Sequence, residues 1–377
     1  MTLQETQTQL PKLQATTLPA INQFFANCYL GHTACSFYRS TSITNYISEH
    51  ISRIRLMEAD CLIHDRRFLE HCTAYKAQRL GFPKILEWWE GELKEIADKN
   101  GFPLILDYDD VMSYDDCPIY NGARTSLAMC TDDILYRYMK ASDYVTVTTD
   151  ELKKYYMKRL NLPDRKFKVI DNYIPQWWFI NIYDENNVSR RFDKQRKRPV
   201  IMISCGSSHW DMKGTVGFDD FTGVDDWIIA NRNKYQFVFH GGINAKLLKY
   251  KDSFIFAPNV PIHMYPTIRN SYSPNLYLMS LRDCPFNRGK SAIRLYEADA
   301  EGIPILLSNV LPYKGKTDLT FNDPTELDIK VRELFGDKGF YMSEVKKARK
   351  RADKQLLENN IDKWLNIMNK NAKVKNA

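Results

Sequence analysis

Apolar runs of strand length alternate with helical segments twice along this 377-residue chain, and a charged stretch separates the two series. A strand buried on both faces reads as a near-continuous apolar run. Runs of that kind alternating with helices build parallel, doubly wound sheets. In the first series the strands are "FPLILDYDD" (102–110), "DYVTVTT" (143–149) and "FKVIDN" (167–172). Helices lie between them in "TDDILYRYMKAS" (131–142) and "DELKKYYMKRLN" (150–161). Upstream, Ile43, Ile47, Ile51, Ile54 and Met57 recur at three- and four-residue spacing and predict one long amphipathic helix. "DCLIHD" (60–65) predicts a short buried strand and "FLEHCTAYKAQRLG" (68–81) more helix. The second series has strands in "PVIMIS" (199–204), "YQFVFHGG" (235–242), "SFIFAPN" (253–259), "NLYLMSL" (275–281) and "IPILLSN" (303–309). Its helices fall in 218–233, 245–251 and 290–302.

The stretch "YDENNVSRRFDKQRKR" (183–198) has no apolar periodicity and reads as a linker. The expected organisation is a flexible N-terminus (1–20), a first α/β domain (21–185), a linker (186–198), a second α/β domain (199–340) and a Lys-rich C-terminal helix (341–377). Eight cysteines without a C-x-x-C pair read as buried free thiols of a reducing compartment. The N-terminus is too polar for a signal peptide, and no run approaches the ~20 apolar residues of a membrane span. A cytoplasmic protein with no membrane partner is expected. The net charge of +7 is compatible with an anionic partner.

The chemistry concentrates at strand ends. "CPFNRGKSAIRLYEADAEGIP" (284–304) contains Gly-Lys-Ser, but Cys284 stands where a phosphate-binding P-loop needs its first glycine, so that motif is excluded. A strand ends at Leu281, and a helix is expected to open near Lys290 or Ser291. Such a helix start, with a cation and a hydroxyl, suits an anion. Lys290, Arg294 and Glu297 fall at i, i+4 and i+7 on one face. A phosphate at the helix start and a sugar hydroxyl on Glu297 would suit one nucleotide; the same spacing also suits a solvated face of internal ion pairs. Gly206, Ser207, Ser208 and His209 follow one strand directly, and His240, Gly241 and Gly242 another. Either turn can cradle a phosphate or sugar, or serve as a cap. Asp107, Asp109 and Asp110 leave a third strand together. Crowded carboxylates raise one another's pKa, which suits a general base; the alternative is capping and loop solvation. No further ligand stands at metal spacing, so no metal is expected.

Taken together, these residues resemble GT-B glycosyltransferases of the retaining glycosyltransferase-4 type. "NRGKSAIRLYEADAEGIPILLSN" looks like that family's donor motif, and "CSFYRS" is similar to its Tyr-Arg segment after the first strand. The ordered set over residues 28–320 looks most like the enzymes of large tailed phages. The resemblance implies two Rossmann-like domains facing a cleft, with the C-terminal helix crossing back to the first. It implies a UDP-sugar co-substrate, no required cofactor or metal, and diphosphate contacts from Lys290, Ser291 and Arg288. Glu297 becomes the ribose contact. Gly206, Ser207, Ser208, His209, His240, Gly241 and Gly289 join the donor site. At Gly289 the family pattern has a glutamate. Tyr38 and Arg39 fall on the acceptor side, with Trp88 and Trp89 as further lining, and Asp109, Asp110 or Asp107 serves as base. The phage likeness implies double-stranded DNA bearing a hydroxymethylpyrimidine as acceptor, glucose or arabinose as the sugar, and a monomer. The basic runs 190–198 and 346–351 would meet that DNA. A polysaccharide, lipid-linked or protein acceptor is the alternative, and a non-catalytic nucleotide- or DNA-binding protein is a second.

Overall fold

A computed structural model of the chain describes residues 24–29, 33–50, 54–58, 66–179 and 184–368. The strands are β1 (Phe24–Tyr29), β2 (Ile54–Glu58), β3 (Cys72–Gln78), β4 (Leu104–Tyr108), β5 (Tyr144–Val147), β6 (Phe167–Val169), β7 (Val200–Cys205), β8 (Gln236–Gly241), β9 (Ile255–Ala257), β10 (Leu276–Met279), β11 (Ile305–Ser308) and β12 (Thr320–Phe321). They form two six-stranded parallel sheets, ordered β2-β1-β3-β4-β5-β6 and β12-β11-β10-β7-β8-β9. Strand order reverses between β1 and β3 in one sheet and between β7 and β10 in the other. Ligands of open α/β sheets bind outside the carboxyl ends at such points.

Five helices bear on the site or the domain connection: α1 (Ser42–His50), α2 (Glu185–Gln195), α3 (Ile293–Ala300), α4 (Lys338–Lys354) and α5 (Asp362–Met368). The long helix expected over 43–57 stops at His50. Ile54 to Met57 instead belong to β2, which pairs with β1 from Phe25↔Ile54 to Tyr29↔Glu58. "FLEHCTAYKAQRLG" is also mostly strand: a single helical turn, Arg66–Leu69, precedes β3. Ala74, Lys76, Ala77 and Gln78 look helical by propensity, but β3 lies at the sheet's centre and is buried on both faces. "DCLIHD" lies outside the described residues. The expected linker is helix α2, capped by Asp184, whose carboxylate accepts from the Asn186 amide at 2.9 Å. Val188 and Phe192, four apart, bury themselves in the second domain's core. Their two-residue apolar stripe was hidden among charges.

The chain returns to the first domain at its end. Helix α4 packs along α3, where Arg351 holds Asp299 at 2.8 and 2.9 Å. Residues 355–357 then join Ile174 in a short parallel bridge. On α5, Trp364, Ile367 and Met368 fill a core with Phe25, Ile43, Ile47, Ala74 and Ile105 of the first domain. Among the described residues the cysteines are free and mostly buried.

Above Trp364 lies a buried charge cluster. Arg39 sits in a π-turn, Phe37–Thr41, just before α1. Its guanidinium holds Asp107 of β4 through Nη2 at 2.5 Å and Nε at 3.1 Å, and its Nη1 meets the Ile170 carbonyl. Lys76 of β3 lies 3.6 Å from the same carboxylate, and Thr146 donates to it at 2.6 Å. The Trp364 ring lies 4.7 Å from the Arg39 guanidinium and 5.1 Å from the Lys76 ammonium. Burial, with Arg39 alongside, brings Lys76 down to about 8 against the pull of Asp107. Removing Asp107 leaves two cations enclosed. Asp107→Ala is therefore expected to destabilise the protein by about 3–5 kcal/mol in chemical denaturation; a loss below about 1 kcal/mol contradicts this role.

Candidate active site

The loop after β10 faces the first domain at close range. Lys290 Nζ lies 3.5 Å from Asp110, Asn172 donates to Ser291 Oγ at 2.7 Å, and Thr149 donates to the Gly289 carbonyl at 3.1 Å. Helix α3 begins at Ile293, later than expected, so Lys290 and Ser291 stand in the loop ahead of it. Glu297 is 1% exposed. Its Oε1 accepts from Tyr38 of the first domain at 2.7 Å, and its Oε2 from Arg269 and Arg294, each at 2.7 Å. Burial opposes ionisation, but Arg294 and Arg269 prevail and hold this carboxyl down at about 2. Glu297 and Arg294 thus form an enclosed pair rather than a solvated face. Arg288 turns to the surface, pairing with Asp283 at 2.6 and 2.9 Å. At Gly289 a Cβ would fall 3.0 Å from Val111 and 3.1 Å from Leu152 of the first domain. A glutamate there is incompatible with this approach of the domains.

Two turns of the second domain complete that side. After β7, Ser207–His209 forms a 3₁₀ turn opening from Gly206. The His209 ring anchors through Nδ1 to Asp220 at 2.7 Å. Burial, with Lys290 and Arg294 nearby, lowers its pKa against the pull of Asp220. Near the end of β8, His240 meets Ser204 Oγ at 3.2 Å and packs edge-on to Tyr265. Burial, then Arg269 and Arg294, lower His240 to about 4, and its Nε2 has no partner among the described residues. Gly241 has φ +111°, and a Cβ there would reach 2.0 Å from the Cys205 carbonyl. Only glycine lets the chain turn so tightly against β7.

The three aspartates after β4 separate. Asp107 is enclosed by Arg39 and Lys76, which excludes it as a base for a substrate in the cleft. Asp109 accepts from Arg79 at 2.5 and 2.8 Å, and Arg79 holds its carboxyl far below the usual range despite burial. That is opposite to the rise expected from crowding, because a cation sits between the acids. Asp110 alone reaches the cleft, between Arg79 at 2.7 Å and Lys290. Arg39 has no face left for an acceptor, and Tyr38 reaches the other domain. Trp89 is core, against Tyr75 and Tyr138, and Trp88 packs beside it. Among the described residues, Cys35, Asp109 and Asp110 come together as metal-type donors, but Arg79 already pairs with both acids, and burial pushes the Cys35 thiol up to about 12.

Sequence reading missed Arg79, Tyr120, Asp220 and Arg269. Each is an ordinary charged or polar residue whose partner lies far along the chain. Two cavities open between the domains and share Thr33 on their walls. The larger, about 920 Å³, has Phe37, Tyr46, Trp177, Ile262 and His263 in its lining. The smaller, about 340 Å³, has Arg79, Phe82, Asp110, Asn121, Ser208 and Lys290.

No protein-family profile matches the chain, and no curated protein matches it in sequence. Solved structures do match. Anabaena Alr3699/HepE, crystallised with UDP and glucose, aligns at TM-score 0.58 and 9% identity over 91% of this chain and 98% of its own. A glycosyltransferase from Rickettsia africae aligns at TM-score 0.60 and 13% identity, over 94% and 100%. The fold is GT-B. His240 is buried near the carboxyl end of β8. Its ring is expected to stay neutral down to about pH 4 in nitrogen-detected NMR titration. A histidine in the unfolded chain protonates near 6.5, so the unfolded state takes the proton first. His240 therefore subtracts stability as pH falls from about 6.5 towards 4, and subtracts none above that window. A titration near 6.5 contradicts the enclosure.

Proposed function

We propose that this protein is a retaining glycosyltransferase. It would move a sugar from a UDP-sugar to an acceptor hydroxyl in the cleft, as a cytoplasmic monomer and without a metal. One observation carries the reading: Lys290, Ser291, Arg294 and His209 converge at the carboxyl end of the second sheet, with Glu297 one helical turn beyond. Lys290, Ser291 and the first free amides of α3 would take the diphosphate, where positive groups stabilise a leaving phosphate. Glu297 would take the ribose, exchanging the Tyr38 hydroxyl for a ribose hydroxyl. Along α3 that direction leads to the larger cavity, where Phe37 and Trp177 offer stacking faces to a base. The opposite direction leads to the smaller cavity, which would hold the sugar and the acceptor. Asp110, the cleft-facing carboxylate, would orient the acceptor hydroxyl as its oxygen attacks the anomeric carbon. The bond from that carbon to the phosphate oxygen breaks, the electron pair leaves with UDP, and the acceptor hydroxyl's proton passes to the departing phosphate oxygen.

The reading is supported by a neighbour of the same fold crystallised with UDP-glucose, Anabaena HepE. For the acceptor we propose a hydroxymethylpyrimidine in double-stranded DNA, with glucose or arabinose as the sugar. A basic excess on two joined helices favours a polyanion: α4 runs antiparallel to α2, with the runs 190–198 and 346–351 towards opposite ends of the pair. Lys338 meets Asp193 at 2.5 Å and Lys346 meets Glu185 at 2.9 Å, joining α4 to α2. Arg190, Lys194, Arg196, Lys197, Arg198 and Lys350 are exposed on the same two segments. Those bonded acids offset part of the charge. The basic excess that remains would bind phosphates in a salt-dependent way.

The test is incubation with a panel of UDP-sugars and hydroxymethylcytosine or hydroxymethyluracil DNA, followed by nucleoside mass analysis. A hexose or pentose mass increment is expected; no increment on any DNA moves the acceptor to a polysaccharide, lipid-linked sugar or protein. Lys290→Ala and Glu297→Gln are each expected to weaken UDP-sugar binding about tenfold or more, the scale of one charge-assisted contact. Wild-type kinetics in both overturn the donor site. Asp110→Asn is expected to lower kcat by about 10²-fold or more, and unchanged turnover removes Asp110.

A further inference from the structure

Arg79 follows β3 directly and has φ +55°. Glycine or asparagine enters that left-handed conformation far more readily than arginine. The backbone there still serves the sheet, since the Arg79 amide donates to the Asp107 carbonyl at 2.8 Å. Nothing in the turn itself calls for arginine, and a strained residue on a cavity wall points to its side chain. The guanidinium is used unevenly. Nε and Nη2 grip Asp109 side-on, at 2.5 and 2.8 Å, and Nη2 also reaches Asp110 Oδ2 at 2.7 Å. Cys35 Sγ lies 3.2 Å from the same nitrogen. Nη1 has no partner among the described residues and is not enclosed. The Arg79 side chain keeps 26% of its surface, against 5% for Asp109 and 20% for Asp110, and lines the smaller cavity beside Asp110 and Lys290.

A guanidinium is a flat fork of N–H groups with no acceptor. Nη1 lies beside the Nη2–Asp110 bond and can only donate. The cavity wall therefore offers two adjacent functions, a carboxylate that accepts and an amino group that donates. With Lys290 committed to the donor diphosphate, one cation and two carboxylates surround the acceptor's place, so an uncharged group fits there and an anionic one is repelled. We propose that Arg79 selects the acceptor base, and that the base it selects is hydroxymethyluracil rather than hydroxymethylcytosine. The inference rests on the DNA-acceptor reading above. Both bases carry the reacting hydroxyl on the ring carbon next to the one where they differ: uracil has a carbonyl oxygen there, cytosine an amino group. With uracil the hydroxyl donates to Asp110 while the carbonyl accepts from Nη1. With cytosine the amino group either meets Nη1, donor against donor, or takes Asp110 and displaces the hydroxyl from it. Phe82 and Phe286, in the same lining, offer apolar flanks to a base taken out of its stack. In transfer the hydroxymethyl oxygen gains the anomeric carbon and its proton passes to the departing phosphate oxygen. Arg79 takes no part in either bond.

The experiment compares kcat/KM for a UDP-sugar on two duplexes of one sequence, one carrying hydroxymethyluracil and the other hydroxymethylcytosine. Each modified base stands opposite an abasic site, so that pairing strength does not enter, and the product is read as nucleoside mass. Wild type is expected to favour hydroxymethyluracil about tenfold or more, the scale of one well-placed base contact. Arg79→Gln puts a group that both donates and accepts at the same place and is expected to bring the two duplexes close to parity. A merely structural cation would lower both alike. UDP binding by calorimetry is expected to stay near wild type, since Arg79 lies on the acceptor side. If a thermal melt shows that Arg79→Gln does not fold, wild type and Arg79→Lys decide: a donor-only lysine is expected to keep the preference, and parity in either overturns the selection. A preference that Arg79→Gln leaves unchanged, or one for hydroxymethylcytosine, overturns it while the DNA reading stands. No transfer to either duplex, with UDP still bound, ends the DNA-acceptor reading and this inference with it.

Discussion

Tyr38 and Arg39 are neighbours in the chain and serve different domains. Arg39 is driven into the first domain, where Asp107 neutralises it above Trp364. Tyr38 points the other way and gives its hydroxyl to Glu297 of the second domain. A π-turn carries both, and the extra residue of such a turn re-aims successive side chains. The buried ion pair holds that turn rigidly, so the phenol meets Glu297 from a fixed base. Helix α5 supplies the aromatic floor of the pair, which is why the chain's end must return to the domain where it began.

Cation placement decides what each acid in the cleft can do. Three aspartates within four residues have three different surroundings: Arg39 with Lys76, Arg79 alone, and Arg79 with Lys290. Only the last leaves a carboxylate facing open space. Glu297 lies in a deeply buried position that would ordinarily favour its neutral form, yet two guanidiniums keep it ionised. His209 and His240 follow the reverse logic, since burial and neighbouring cations lower both their pKa values.

The fold was legible where strands are apolar throughout, as in "LILDY" and "VIMISC", because burial on both faces leaves no polar positions. It was misread in β2 and β3. There Lys76 and Gln78 sit inside a buried strand, satisfied by Arg39, Ser40 and Asp109 rather than by water. It was misread again in α2, where two apolar side chains among many charges suffice to dock a helix. Among the residues of the proposed site, those with a local signature could be singled out from the sequence: Gly241 for its turn, His209 and Lys290 for their places after strands. Arg79, Arg269, Asp220 and Tyr120 carry no such signature, since each acquires its role from a partner 28 to 100 residues away.

The sequence by itself determined two parallel α/β domains and a cluster of phosphate-suited residues at the carboxyl ends of the second sheet. Periodicity and strand-end chemistry are local properties, and local properties survive in one dimension. Tertiary structure alone decided which aspartate faces the cleft, that Glu297 is enclosed, and that Gly289 lies against Val111 and Leu152. Those outcomes depend on how closely two separate domains approach. That distance is set by ion pairs and hydrogen bonds between residues that nothing in the chain's order brings together.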